Sequence, residues 1–340
     1  MVRVDLVQGK RPDSSLPRIL GGLLLLAGFL LLALGWPRFF SERGLKYAKL
    51  AEMKAGDASF PDLQGRYSAE GLNRYRISRD DEAAVILNVV TYRDEQGGLA
   101  SAIVFPPGEQ SGQGLMGRDE GLLRRDLWNS AAEAVRAHTG EEAPFVTWWD
   151  NAQRLRFLTG RKGWVASPVA GAYPDGEDRR FWQSVGGRFQ QDEERLRQLA
   201  RWLTMDAEQA LAEMSAVVSN DRPVYFLMCV DDLARLAEME TLSGVKLPFE
   251  VRNFPSAADV HTQIAEVKRW ANEKGVGAYL VRQLPTGGIR AWRISTPEGA
   301  RTLLARLMPF TTSLARPLEA MSLVYQSGWG AYISIYEWRR

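Results

Sequence analysis

The sequence predicts an α/β or α+β region with mixed sheets, preceded by a single N-terminal transmembrane helix. Three observations carry this expectation. An uncharged apolar run occupies Ile19 to Trp36. Behind it, strand-like and helix-like segments alternate through the middle of the chain, the pattern of layered α/β folds. Several segments, including the C-terminal one, read instead as hairpins, so antiparallel pairing must be mixed with any parallel pairing.

The first element is ILGGLLLLAGFLLLALGW, residues 19–36. As a helix it would extend about 27 Å, close to the hydrocarbon thickness of a bilayer. Trp36, Phe39 and Phe40 stand where an interfacial aromatic belt would lie. A cleavable signal peptide is the alternative, with Ala33-Leu34-Gly35 as a small-x-small site. The run exceeds the roughly 7–15 apolar residues of such a signal, which favours a retained anchor. Basic residues flank both sides, Arg3, Lys10, Arg11 and Arg18 before it and Arg38, Arg43, Lys46, Lys49 and Lys54 after it. Their near balance does not fix the orientation. A short basic tail ahead of one span ordinarily stays in the cytoplasm. That reading gives a tail at 1–18, an inner-membrane anchor at 19–36 and the bulk of the chain in the periplasm of a Gram-negative source.

Residues 37–65 read as a stalk, with helical spacing over SERGLKYAKLAEMKA. Strand-like runs follow at Arg66–Ile77, Ala84–Arg93 and Leu99–Phe105, the last two joined by Asp94-Glu95-Gln96-Gly97-Gly98, a hairpin signal. Pro106–Gly117 is a polar loop. Asp119–His138 places Leu122, Leu123, Leu127, Ala131 and Val135 about one helix face. Pro144–Trp149 reads as a short strand, Asp150 as the N-cap of the next helix, and Gly163–Ala166 as a further strand. Residues 177–218 are helical and charged, with a break at Gly186-Gly187.

Pro223–Val230 is the most continuous apolar strand and should be central. Asp231-Asp232 then caps a helix to about Leu242, Lys246–Phe254 is a strand, and Ser256 caps a helix to Lys274. Hairpins follow at Ala278–Leu284 with Ile289–Ile294, and at Met321–Gln326 with Ala331–Trp338. Between them, Thr296-Pro297 starts a helix. A boundary near 219–222 would divide an α/β domain at 66–220 from another at 221–340; the sequence leaves open whether there are one or two.

Composition narrows the chemistry. A formal charge of +2 over 340 residues offers no general field for nucleic acid. Cys229 is the only cysteine, so neither a disulfide nor a CxxCH haem attachment is possible within the chain. The two histidines, His138 and His261, each stand alone in a helix. No GxSxG elbow occurs, and the Gly97-Gly98 and Gly287-Gly288 pairs lie in hairpin turns, not between a strand and a helix. These features point to no cofactor, metal or catalytic residue, and to a binding role more than an enzymatic one.

The densest unusual segment is FVTWWDNAQRLRFLTGR, residues 145–161. On a strand, Trp148 and Trp149 would point to opposite faces. Asp150, Asn151, Gln153 and Arg154 would then line the first turn of a helix at the carboxyl end of that strand, where open α/β sheets bind ligands. Trp148, Trp149, Asp150, Gln153 and Arg154 are therefore the candidate ligand- or partner-binding set. The competing reading is a helix cap beside strand-anchoring tryptophans. Asp231-Asp232 could bind a cation or a ribose, though adjacent acids at a helix start are more often caps. Trp329 in a turn, followed by Tyr332, Tyr336 and Trp338 on one strand face, is either a docking strip or core.

Two resemblances attach to these residues. Trp148-Trp149-Asp150 at a strand end is similar to the WWD-type motif in the soluble domains of oligosaccharyltransferase catalytic subunits. That motif continues Tyr-Gly, where this chain has Asn151-Ala152. Those enzymes also keep metal-binding acids in a many-span membrane half, so the likeness implies at most a ligand- or glycan-binding module. The other resemblance covers more of the chain: one span, a cysteine-poor region behind it, WWDNAQRLRFLTG and an aromatic C-terminal hairpin. Together these resemble the hydroxylamine oxidation protein HaoB family. The resemblance implies an accessory protein partnered with a multihaem hydroxylamine oxidoreductase in ammonia- and methane-oxidising bacteria, with no catalytic residues to carry over.

Overall fold

A computed structural model describes residues 45–79, 85–107, 120–187, 193–218, 221–257, 259–284 and 287–340. The apolar run at 19–36 lies outside these residues. Among the described residues no helix is long and apolar enough to cross a membrane.

The first element corrects the stalk expectation, because β1 (Leu45–Lys54) is a strand. It pairs antiparallel with β2 (Ala69–Arg79), from Leu45 opposite Arg79 to Lys54 opposite Gly71. Most of its side chains are exposed, and a bulge between Lys49 and Ala51 interrupts the two-residue alternation. An edge strand wet on both faces carries little period-2 signal, so its polar spacing imitates a helix. Strands β3 (Val85–Arg93) and β4 (Leu99–Val104) complete a four-stranded antiparallel sheet in chain order. The β3–β4 hairpin is the expected one: Gly97 has φ +77°, and Asp94 Oδ1 accepts from the backbone of Gln96 and Gly98.

Helix α1 (Glu120–His138) leads to β5 (Phe145–Val146), only two residues long, and α2 (Trp149–Thr159) begins almost at once. Gly160, at φ +79°, stops α2 in the left-handed conformation that glycine adopts freely. The strand expected at 163–166 reduces to an isolated parallel bridge between Phe145 and Gly163. The charged stretch after it breaks where the glycine pair falls. Helix α3 (Gly176–Val185) ends at Gly186, and α4 (Glu193–Thr204) and α5 (Ala207–Ser215) follow.

Strand β6 (Val224–Cys229) is buried at every residue. It runs parallel to β5 and antiparallel to the C-terminal strand β11 (Ile333–Trp338), in a sheet whose order is β10 (Met321–Gln326), β11, β6, β5. Strands β5 and β6, which precede and follow residues 219–222 in the chain, are thus paired in one sheet, and the principal core includes residues from both stretches. After β6 the chain forms a 3-10 turn over Val230–Arg235 before α6 (Leu236–Ser243). Next come β7 (Phe249–Phe254), α7 (Val260–Glu273), β8 (Tyr279–Gln283) and β9 (Ile289–Ile294). The three strands form a separate antiparallel sheet ordered β7-β9-β8, whose face against α7 has its own small core of Phe254, Val267, Trp270, Ile289 and Ala291. Asp259, not Ser256, caps α7, its carboxylate accepting from the backbone N–H of Thr262 at 2.8 Å.

Thr296 and Pro297 start the short α8 (Pro297–Arg301) as expected. Helices α9 (Leu303–Leu307) and α10 (Thr311–Ala315) follow. Then β10 (Met321–Gln326) pairs with β11 (Ile333–Trp338) around the one-turn α11 (Gly328–Ala331). Tyr332 and Trp338 are buried and Tyr336 is half-buried, so these aromatics belong largely to the packing of β11 on β6. Trp338 meets Phe226 edge-on, with centroids 6.1 Å apart.

Candidate functional site

The tryptophan–aspartate segment falls where a parallel strand hands over to a helix, as the sequence suggested, but two residues earlier. Val146 is the last strand residue, Trp148 is the N-cap of α2 and Trp149 its first residue. This corrects two expectations. The tryptophans do not point to opposite faces of a strand, and Asp150 is not the cap. Both indoles are fully buried, and both donate to Glu238 Oε2, Trp148 at 3.2 Å and Trp149 at 3.0 Å.

Glu238 is joined to a cation. Its other oxygen accepts from Arg235 Nη1 at 2.8 Å, while Arg235 Nη2 reaches Asp150 Oδ2 at 3.3 Å. The Arg235 guanidinium also lies over Trp182, 4.2 Å from the ring centroid, and 5.1 Å from that of Trp149. Burial disfavours its charge, but the carboxylates of Glu238 and Asp150 more than reverse this and raise its pKa. One cation between two carboxylates and two indole faces makes a closed unit.

The next residues of α2 also find partners inside the protein, although Gln153 Oε1 has none among the described residues. Asn151 Nδ2 donates to Asp232 Oδ1 at 2.6 Å, and Asp232 Oδ2 accepts the backbone N–H of Cys229 at 2.9 Å. Burial, reinforced by the neighbouring Asp150 carboxylate, pushes the Asp232 pKa up to about 8. Gln153 Nε2 donates to the carbonyls of Ala166 and Gly186 at 2.9 and 2.8 Å, tying α2 to the loop after it and to the end of α3. Ten of the eleven residues of α2 are buried. A helix so enclosed can retain polar side chains only if each finds partners inside the protein.

The structure therefore brings Trp148, Trp149 and Asp150 together around Arg235 and Glu238, and turns Gln153 and Arg154 elsewhere. Arg154 Nε donates to the Ile103 carbonyl at 2.7 Å and Nη1 to Asn151 Oδ1 at 3.1 Å. Its guanidinium lies between Trp128 and Phe105, 4.5 and 4.9 Å from their centroids, and lines a cleft of about 330 Å³. Asp150 does not line that cleft. A ligand gripped by Asp150 and Arg154 at once has no place here.

The sequence reading missed Arg235 and Glu238. Their signal was present: Asp232, Arg235 and Glu238 recur every third residue, a spacing that keeps side chains on one side of a tight helical turn. Asp231, taken with Asp232 as a cap or cation site, is instead a junction. It pairs with Arg282 at 2.9 Å and Arg124 at 3.5 Å and accepts a hydrogen bond from the Tyr332 hydroxyl.

Comparison with known proteins adds the following. No curated protein matches this chain. The crystal structure of the C. jejuni PglB C-terminal domain aligns over 62% of this chain and 99% of its own, at 12% identity and a TM-score of 0.35, which does not establish a shared fold. A family described as HaoA-associated protein HaoB matches residues 13–338. That match takes in the apolar run, the buried α2 network and the C-terminal hairpin, and with it the chain belongs to the HaoA-associated protein HaoB family.

Proposed function

We propose that this protein is a membrane-anchored accessory or docking protein that works beside HaoA, a multihaem hydroxylamine oxidoreductase. The observation that carries the reading is the family match over residues 13–338, because the family is described by its association with HaoA. The site geometry supports it. Asp150, Arg235 and Glu238 are engaged with one another and with buried indoles, and Asp232 is engaged with Asn151 and the Cys229 backbone. They stiffen the junction of strand and helix, a task suited to a scaffold that presents surfaces.

The uncharged run at Ile19–Trp36 supports a single span, with residues 41–340 in the periplasm beside the inner membrane. The test is affinity capture of the full-length chain, solubilised from native membranes at low salt. Co-recovery of HaoA by mass spectrometry and haem absorbance is expected, and recovery of no haem protein overturns the reading. A reporter fused after Arg340 tests the placement; activity of a cytoplasm-only reporter overturns it.

A further inference from the structure

Arg154 lines an open cleft that Trp148, Trp149, Asp150 and Gln153 do not line. It is 4% exposed, yet forms no ion pair among the described residues. Nε and Nη1 are satisfied by the Ile103 carbonyl and by Asn151, while Nη2 has no hydrogen-bond acceptor among the described residues. Phe105 and Trp128 approach the guanidinium and stabilise its charge, but they leave the N–H groups of Nη2 unbonded. A buried cation without a counter-ion is a costly arrangement that an anion in the cleft would relieve.

The rest of the lining narrows the anion. Leu63, Val104, Phe157 and Leu158 give the cleft an apolar wall. Asp62 and Asp126, both exposed, also line it together with Arg125, which pairs with Asp126 at 3.1 Å, so this part of the lining carries one net negative charge, which opposes a multiply charged ligand. Asn129, half-buried on α1, offers an amide that can donate or accept. The volume is at the lower end of small-molecule sites.

We propose that this cleft binds a small monocarboxylate with a planar apolar body, its carboxylate accepting from Arg154 Nη2. The body lies along Phe157 and Leu63. A phosphate dianion is disfavoured by Asp62, the lining carboxylate that Arg125 does not pair.

Calorimetric titration of the purified full-length chain with benzoate tests this, with benzamide and inorganic phosphate as the uncharged and dianionic probes. Benzoate is expected to bind with millimolar affinity or better, and the other two at least tenfold more weakly. R154K, which keeps the charge but loses the planar fork, is expected to weaken benzoate at least tenfold. N129W, which fills the cleft without touching Arg154, is expected to abolish binding while circular dichroism is unchanged. No benzoate binding at 10 mM, equal binding of benzamide or phosphate, or undiminished binding by N129W overturns the proposal. The N129W arm decides if R154K does not fold.

Discussion

Trp148 and Trp149 are neighbours in the chain, and their indole N–H groups converge on a single oxygen of Glu238, at 3.2 and 3.0 Å. That oxygen belongs to a carboxylate already paired with Arg235. Removing it strands two buried donors and leaves Arg235 with Asp150 alone. E238A is expected to lower unfolding free energy by about 3 kcal/mol, since breaking a buried ion pair from one side leaves an uncompensated charge. E238Q is also expected to destabilise, because an amide cannot accept from both indoles and from Arg235 together. Urea denaturation measures both. Under the scaffold reading, the folded fraction of E238Q should capture HaoA as well as the parent does.

The loop after α2 is set by how closely it approaches that helix. A Cβ at Gly163 would sit 2.3 Å from Ala152 Cβ and 3.0 Å from the Val165 carbonyl. Neither neighbour can retreat, for Ala152 is in the buried helix and the loop is held by Trp164 N–H donating to the Phe145 carbonyl at 2.7 Å. G163A is expected to cost about 1–3 kcal/mol by overpacking. G140A, where a Cβ would meet nothing, should change little. Thermal melts of the pair separate steric crowding from a generic loss of glycine.

Much of this architecture was legible because local signals agreed with the fold. The β3–β4 and β8–β9 turns are marked by Gly97 and Gly287, which adopt φ +77° and +80°. β6 is apolar throughout because helices and strands enclose it. β1 was illegible for the opposite reason: an edge strand exposed on both faces, with a bulge, has no face for the sequence to encode. At the Trp pair the expected strand ran three residues too far, since Thr147 and two aromatics suit a strand as well as a helix start. The carboxylate they share lies 89 and 90 positions away, beyond any local pattern. Arg154 stands out in the sequence as part of the WWD segment, but the walls of its cleft come from segments that only the fold assembles.

Asn151 connects the two halves of the network, donating to Asp232 and accepting from Arg154. N151L preserves volume approximately and removes both bonds. Because a carboxyl and a guanidinium then lose partners inside the protein, a loss of about 1–3 kcal/mol or more is expected. The double variant N151L/D232L should recover part of it, since replacing both partners by apolar groups leaves less unsatisfied. A double-mutant cycle by urea denaturation reads the coupling, and strict additivity would show that the two side chains act separately.

Two carboxyl groups give the protein opposite pH responses in separate windows. Burial raises the Asp232 pKa to about 8, so between about pH 4 and 8 the folded chain holds a proton that the unfolded chain has released. Stability from this group therefore falls as pH rises across that window. Glu95 is the reverse case. The hydrogen bond from the Tyr67 hydroxyl, helped by Arg156 and Lys162, holds its pKa down to about 2. Its contribution is complete above its unfolded pKa of about 4.5 and is lost as pH falls toward 2. Denaturation midpoints measured from pH 3 to 9 should show D232N flattening the decline toward pH 8 and E95Q flattening the loss below pH 4.5. Glu95 is partly exposed and should respond to salt, whereas Asp232, 1% exposed, should not. A steep decline toward pH 8 that survives D232N would place the buried proton on another group.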